Sequence, residues 1–271
     1  MNTRAIMAIV RKDLKVALQN KGVVLPIILL PLIMFVILPW LAVYAPQWAG
    51  GSTSIGNTDE LLSRMPAGLT HELSSFQPAQ QVTVFILVYM LAPLFLVLPL
   101  MVSSVIAADS FAGEKERKTL EALLYTPTTD RDLFTAKLAG AWTAALVVAF
   151  AGFILYAITV NAASWQSIGR IYFPNWMWVA LIFWVTPAVA GLGLVVMVFV
   201  SIRAQGFQDA YQLGAMVVLP VLLLVFGQVT GVMYFSLGLV LLVGALIWVI
   251  DAGLFWLAGK RFHRTELMAR L

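Results

Sequence analysis

Val82 to Ala107 reads V-T-V-F-I-L-V-Y-M-L-A-P-L-F-L-V-L-P-L-M-V-S-S-V-I-A, 26 residues without a single charge. A helix rises about 1.5 Å per residue, so this run reaches roughly 39 Å. That exceeds the hydrocarbon thickness of a bilayer, roughly 30 Å. The run does not alternate apolar and polar residues, so it does not fit a strand of a membrane barrel. In lipid every backbone N–H and C=O needs a partner within the protein, and a helix supplies one inside a single segment.

Five further runs have the same character. They are Val23 to Tyr44, Leu138 to Val160, Trp176 to Val200, Tyr211 to Gly227 and Val232 to Ala258. The fifth of the six is the shortest and contains Pro220, so the last pair is expected to include a short re-entrant or interfacial piece. The first run is too long for a cleavable signal peptide and lacks a small-residue cleavage site, so it reads as a retained anchor. Composition agrees. Of 271 residues, 61% are hydrophobic and 11% charged, against roughly 25% charged in soluble domains. Too little polar surface exists to cover a water-soluble globule, which excludes an ordinary soluble enzyme and a nucleic-acid binder. There is no Cys and there are two His, His71 and His263. A disulfide framework, a thiolate site and a His-based metal site are therefore not expected, and no catalytic constellation stands out.

Lys and Arg set the orientation. With six spans, fifteen of the seventeen fall on one side: the N-terminus, the loop after the second run, Arg203 and the C-terminus. Only Arg64 and Arg170 fall on the other. Both termini are thus expected in the cytoplasm, in an inner or plasma membrane. The expected plan is an all-α polytopic membrane protein forming one transmembrane domain over residues 1–271. It has an interfacial elbow at 1–22, an extracytoplasmic loop at 45–81, a cytoplasmic loop at 108–137 and a cytoplasmic tail at 259–271. Within the outer loop, Thr58 to Ser75 is expected to form a short helix capped by Asn57 or Thr58. Trp40, Trp48, Trp165, Trp176 and Trp178 lie near outer span ends, where indole rings prefer the headgroup layer. The remaining aromatics read as lipid-facing and interfacial.

Arg4 to Gln19 forms a basic amphipathic helix. Ile6, Met7, Ile9, Val10, Leu14, Ala17 and Leu18 share one half; Arg4, Arg11, Lys12, Lys15 and Gln19 share the other. Asp13 is the exception, an acid within the apolar arc. Gly22 is expected to turn the chain into the first span. Orienting that span and touching a cytoplasmic partner are both compatible with such a helix.

The loop Asp109 to Lys137 concentrates 11 of the protein's 30 charged residues. Glu114 and Lys118, and Arg117 and Glu121, stand four apart as on a helix face. Leu120, Leu123 and Leu124 form a small apolar stripe. Thr126-Pro127 ends this helix, and Thr129 with Asp132 caps the next. A long, ordered, charged connector with an apolar stripe reads as a docking surface.

Glu116-Arg117-Lys118-Thr119-Leu120-Glu121-Ala122-Leu123-Leu124 followed by Thr126-Pro127 resembles the E-R-x-x-T-L-E-x-L-L…P motif of ABC-2 type transporter permeases, including the sodium- and drug-exporter branches. It stands in the matching place, after the second of six spans. The family commonly has Gly where this chain has Lys118. The resemblance implies a membrane subunit of an exporter, in which two permease copies pair with two separate ABC ATP-binding subunits. It implies that Glu114, Glu116, Arg117, Lys118, Thr119, Leu120, Glu121, Leu123 and Leu124 form a coupling helix seated on the ATPase. ATP and Mg would be bound by that partner and no cofactor by this chain. The sequence agrees on one point: its Gly259-Lys260 pair lacks the rest of a phosphate-binding loop, with Leu254 at the first glycine position. The rival reading is a secondary transporter or channel acting alone, for which Asp251, Asn161 and Gln228 are the intramembrane polar candidates. Asp251 is expected to serve structurally, through a hydrogen bond or a pair with Arg203 or a neighbouring span; ion or proton coupling is the alternative.

Overall fold

The computed structural model describes residues 3–48, 67–117, 130–230 and 232–261. Nine helices carry the argument: α1 (Thr3–Gln19), α2 (Lys21–Tyr44), α3 (Ala67–Leu73), α4 (Gln80–Glu116), α5 (Asp130–Ala163), α6 (Trp165–Ile168), α7 (Trp176–Arg203), α8 (Phe207–Val229) and α9 (Leu237–Arg261). Among the described residues there is no strand. The helices α2, α4, α5, α7, α8 and α9 are each long and apolar enough to cross a membrane. The six runs read from the sequence are these six helices.

The two central helices are α4 and α7. Two-thirds of the apolar window of each is buried (67%), against 17% for α2, α8 and α9. Small residues let them approach. Gly193 of α7 faces Ser103, Ser104 and the backbone of Leu100 on α4; a Cβ there would lie 2.6 Å from Ser103 Oγ and 2.7 Å from the Leu100 carbonyl oxygen. A backbone atom cannot rotate away, so Gly193→Ala must push the helices apart, at about 1–3 kcal/mol by the cost of overpacking. We expect a lowered melting temperature in detergent for Gly193→Ala. Gly238→Ala, with nothing within 4 Å of its added methyl, should melt like the parent.

Prolines punctuate the spans with irregular turns. A π-turn at Phe85–Met90 precedes Pro93, another at Leu181–Val185 precedes Pro187, and a 3₁₀ turn at Ala215–Val218 precedes Pro220. Such breaks free carbonyls that lipid cannot satisfy, so neighbouring helices must. In α4 three consecutive carbonyls are met from three other helices: Leu87 by Tyr156 Oη of α5, Val88 by Trp178 Nε1 of α7 at 2.7 Å, and Tyr89 by Gln228 Nε2 of α8 at 3.1 Å.

The aromatic residues around this break form a packed core. Trp178 meets Phe173 at 4.9 Å, Tyr156 at 5.1 Å and Phe95 at 5.4 Å between ring centroids. Trp178 is fully buried, which corrects its expected place in the headgroup layer. The indole N–H is drawn inward by the freed Val88 carbonyl. Trp40, Trp165 and Trp176 are exposed, in keeping with a belt.

One further expectation changes. The turn after α1 is made at Asn20, not Gly22: Asn20 is extended and its side-chain oxygen accepts from Gly22 N–H, capping α2. The outer-loop helix is present as Ala67–Leu73, while the proposed caps Asn57 and Thr58 lie outside the described residues. The last two spans are joined by non-helical residues 232–236 and α8 is helical throughout.

Candidate coupling site at the charged end of the bundle

Helices α1, α5 and α8 converge where α4 ends. Helix α1 lies along α5, with Val10 against Gly140. Its buried face includes Asp13 and Ala17, whereas Met7 and Leu18 of the expected apolar half are exposed. Asp13 therefore belongs to the packing face, and its acid points at a base. Lys137, near the start of α5, is 1% exposed. Its ammonium has three protons and three acceptors: Glu114 Oε2 at 2.6 Å, the Ser110 carbonyl at 2.7 Å and Asp13 Oδ2 at 3.4 Å. That set satisfies it fully, and the Phe111 ring lies 5.4 Å from the same nitrogen.

Lys12 closes the pair from the rim, bonding Glu114 and lying 3.3 Å from Asp13. Burial works against its charge, yet the Glu114 and Asp13 carboxylates prevail and hold Lys12 above the ordinary lysine range. Its contribution is thus fully present at neutral pH and is lost only as pH rises through that raised value. Beside this cluster, Asp109 Oδ1 accepts from Arg117 Nη1 at 3.0 Å and from Asn20 Nδ2 at 3.1 Å. Lys12, Lys137 and Arg117 balance Asp13, Glu114 and Asp109. A neutral, hydrogen-bonded set is the form in which buried charges are tolerated.

The remaining side chains of this segment reach α8 and its approach. Glu116 Oε2 accepts from Phe207 N–H at 2.9 Å, placing a carboxylate on the first turn of α8, where the helix dipole favours it. Lys115 Nζ donates to the Ala204 carbonyl at 3.3 Å. Of the residues expected to form the coupling helix, Glu114, Glu116 and Arg117 are therefore brought together and engaged within this chain. Lys118, Thr119, Leu120, Glu121, Leu123 and Leu124 lie outside the described residues. Asp13, Asp109 and Lys137 were not singled out from the sequence as site residues. Two signals pointed to the first and last: a lone acid on the apolar arc of α1, and a lysine abutting an apolar run. Each needs an opposite charge.

The other polar candidates lie away from this end. Asn161 holds residues 172 and 173, donating to the Phe173 carbonyl at 2.8 Å and accepting from Tyr172 N–H at 3.1 Å. Gln228 is committed to the Tyr89 carbonyl. Asp251 is buried with neither oxygen hydrogen-bonded, so the expected pair with Arg203 is not formed. Among the described residues no group of three His, Asp or Glu side chains is arranged to hold a metal.

No curated protein and no solved structure matches the chain significantly. The family described as ABC-2 family transporter protein matches residues 7–258, from within α1 to near the end of α9. With six apolar helices and a match over nearly its whole length, the chain belongs to the ABC-2 family of transporter membrane proteins.

Proposed function

We propose that this protein is the permease subunit of an ATP-driven exporter. It works as a pair of permease copies with two separate ABC ATP-binding subunits, and its charged end faces the cytoplasm. The observation that carries the reading is the ion-paired base of the 109–137 segment. A push delivered at Lys118 to Leu124 would enter a body in which α1, α4 and α5 are locked by Asp13, Glu114 and Lys137. Glu116 passes the same displacement to the start of α8. The segment would then act as a lever on several spans, a two-state element biased by the partner's nucleotide cycle. The partner supplies the ATP and Mg chemistry. The rival of a transporter acting alone has fewer free polar groups to use, since Asn161 and the Nε2 of Gln228 serve backbone carbonyls.

The test separates docking from transmission. Glu121→Arg should reduce the ATPase that co-purifies with the permease. Arg117→Glu, which opposes Asp109 inside the chain, should retain bound ATPase and lose coupled transport. An unaltered, transport-coupled complex in both variants would refute the assignment.

A further inference from the structure

We propose that Asp251 is a proton-binding site: its carboxyl carries a proton while the seam between α7 and α9 is closed, and yields it to water when the seam opens. This goes beyond the permease assignment and stands without it.

Asp251 is 1% exposed, and neither carboxyl oxygen has a hydrogen-bond partner. It sits in a socket that exists because residue 191 of α7 is glycine. A Cβ there would lie 2.8 Å from Asp251 Oδ2, and the edge of the Phe255 ring reaches the same point at 3.6 Å. The socket is closed by this chain itself, so a second copy or a lipid headgroup reaches the carboxyl only if the helices part.

Among the described residues no base pairs with it. Helix α9 packs on α7, through its segments Trp176–Ala180, Leu181–Val185 and Thr186–Arg203. The only charged residue in α7 is Arg203, twelve positions beyond Gly191, or about 18 Å along the helix. On α9 the other charges are Lys260 and Arg261, nine and ten positions beyond Asp251, or roughly 13–15 Å. An ionised carboxylate so placed is far costlier than a neutral carboxylic acid. A metal or alkali cation would need several more oxygens, and the socket offers a glycine and a ring edge. A proton needs none. When the seam opens, water solvates the carboxylate and accepts the proton, so opening releases one proton and closing takes one up. Low pH thereby favours the closed seam.

The experiment is infrared difference spectroscopy of the full chain in lipid vesicles, between acid and alkaline pH, with H/D exchange. The expected result is a slowly exchanging protonated-carboxyl band at neutral pH, absent in Asp251→Asn and unaffected by Na⁺ or K⁺. Asp251→Asn should also abolish part of the loss of thermal stability that the parent suffers as pH rises. Gly191→Ala crowds the carboxyl without removing it, so the band should move or exchange faster even if Asp251→Asn assembles poorly. No such band, a band indifferent to both substitutions, or a carboxylate band that shifts with Na⁺ or K⁺ would overturn the proposal.

Discussion

Lys137→Met should be among the most damaging single substitutions in the protein. It keeps the length of the side chain and removes the ammonium that Glu114, Asp13 and the Ser110 carbonyl share. Breaking a buried ion pair from one side costs about 3–5 kcal/mol, because the remaining charge is stranded. Lys12 stays on Glu114 but is 44% exposed and reaches the cluster from its rim, so it offsets only part. Thermal unfolding in detergent should show a large drop in melting temperature and early release of α1 from α5. Adding Asp13→Leu to Lys137→Met removes the second stranded charge and should recover part of the loss. If Lys137→Met melts within a degree or two of the parent, the cluster does not hold these helices together.

Trp178→Ala should be comparably severe for a different reason. Truncating a fully buried tryptophan leaves a cavity, typically about 3–5 kcal/mol. Within a lipid-embedded bundle the loss is chiefly of packing contacts, since lipid is as apolar as the core. The substitution also strands the Val88 carbonyl, which Trp178 Nε1 meets at 2.7 Å, adding about 1–3 kcal/mol. Trp178→Phe divides the two contributions: most of the ring packing stays and the hydrogen bond goes. Thermal unfolding should place Trp178→Phe between the parent and Trp178→Ala. Equal stability of Trp178→Phe and the parent would mean that the broken turn of α4 does not depend on this bond.

The spans were legible because length and hydropathy are local properties. Val82 to Ala107 announces a crossing helix without reference to anything else, and so do its five counterparts. What packs against what was less legible. Trp178 and Trp176 stand two residues apart with similar neighbours, yet one is the centre of the core and the other is exposed. The difference lies in the Val88 carbonyl of α4, in the irregular turn that precedes Pro93, which the Trp178 indole meets, and no window around position 178 contains it. Asp13 and Lys137 are 124 positions apart. Asp13 was visibly out of place on the apolar arc of its helix, but its pairing with Lys137 required knowing that α1 runs along α5. The Asp251–Arg203 pair failed on helical register: Asp251 meets α7 at Gly191, several turns from Arg203.

Glu114, Glu116 and Arg117 are engaged within the chain, and the proposed function places docking on the stretch from Lys118 onward. That division is the account's central claim, and the absence of native cysteine makes it directly measurable. Single cysteines at Leu123 and at Arg170 would be tested for cross-linking to the subunit that co-purifies in native membranes. The account predicts a cross-link from position 123 to a subunit carrying a phosphate-binding loop, made from the cytoplasmic face, and none from position 170. Reaction of position 123 from the outside, or a cross-link from 170 alone, would contradict it.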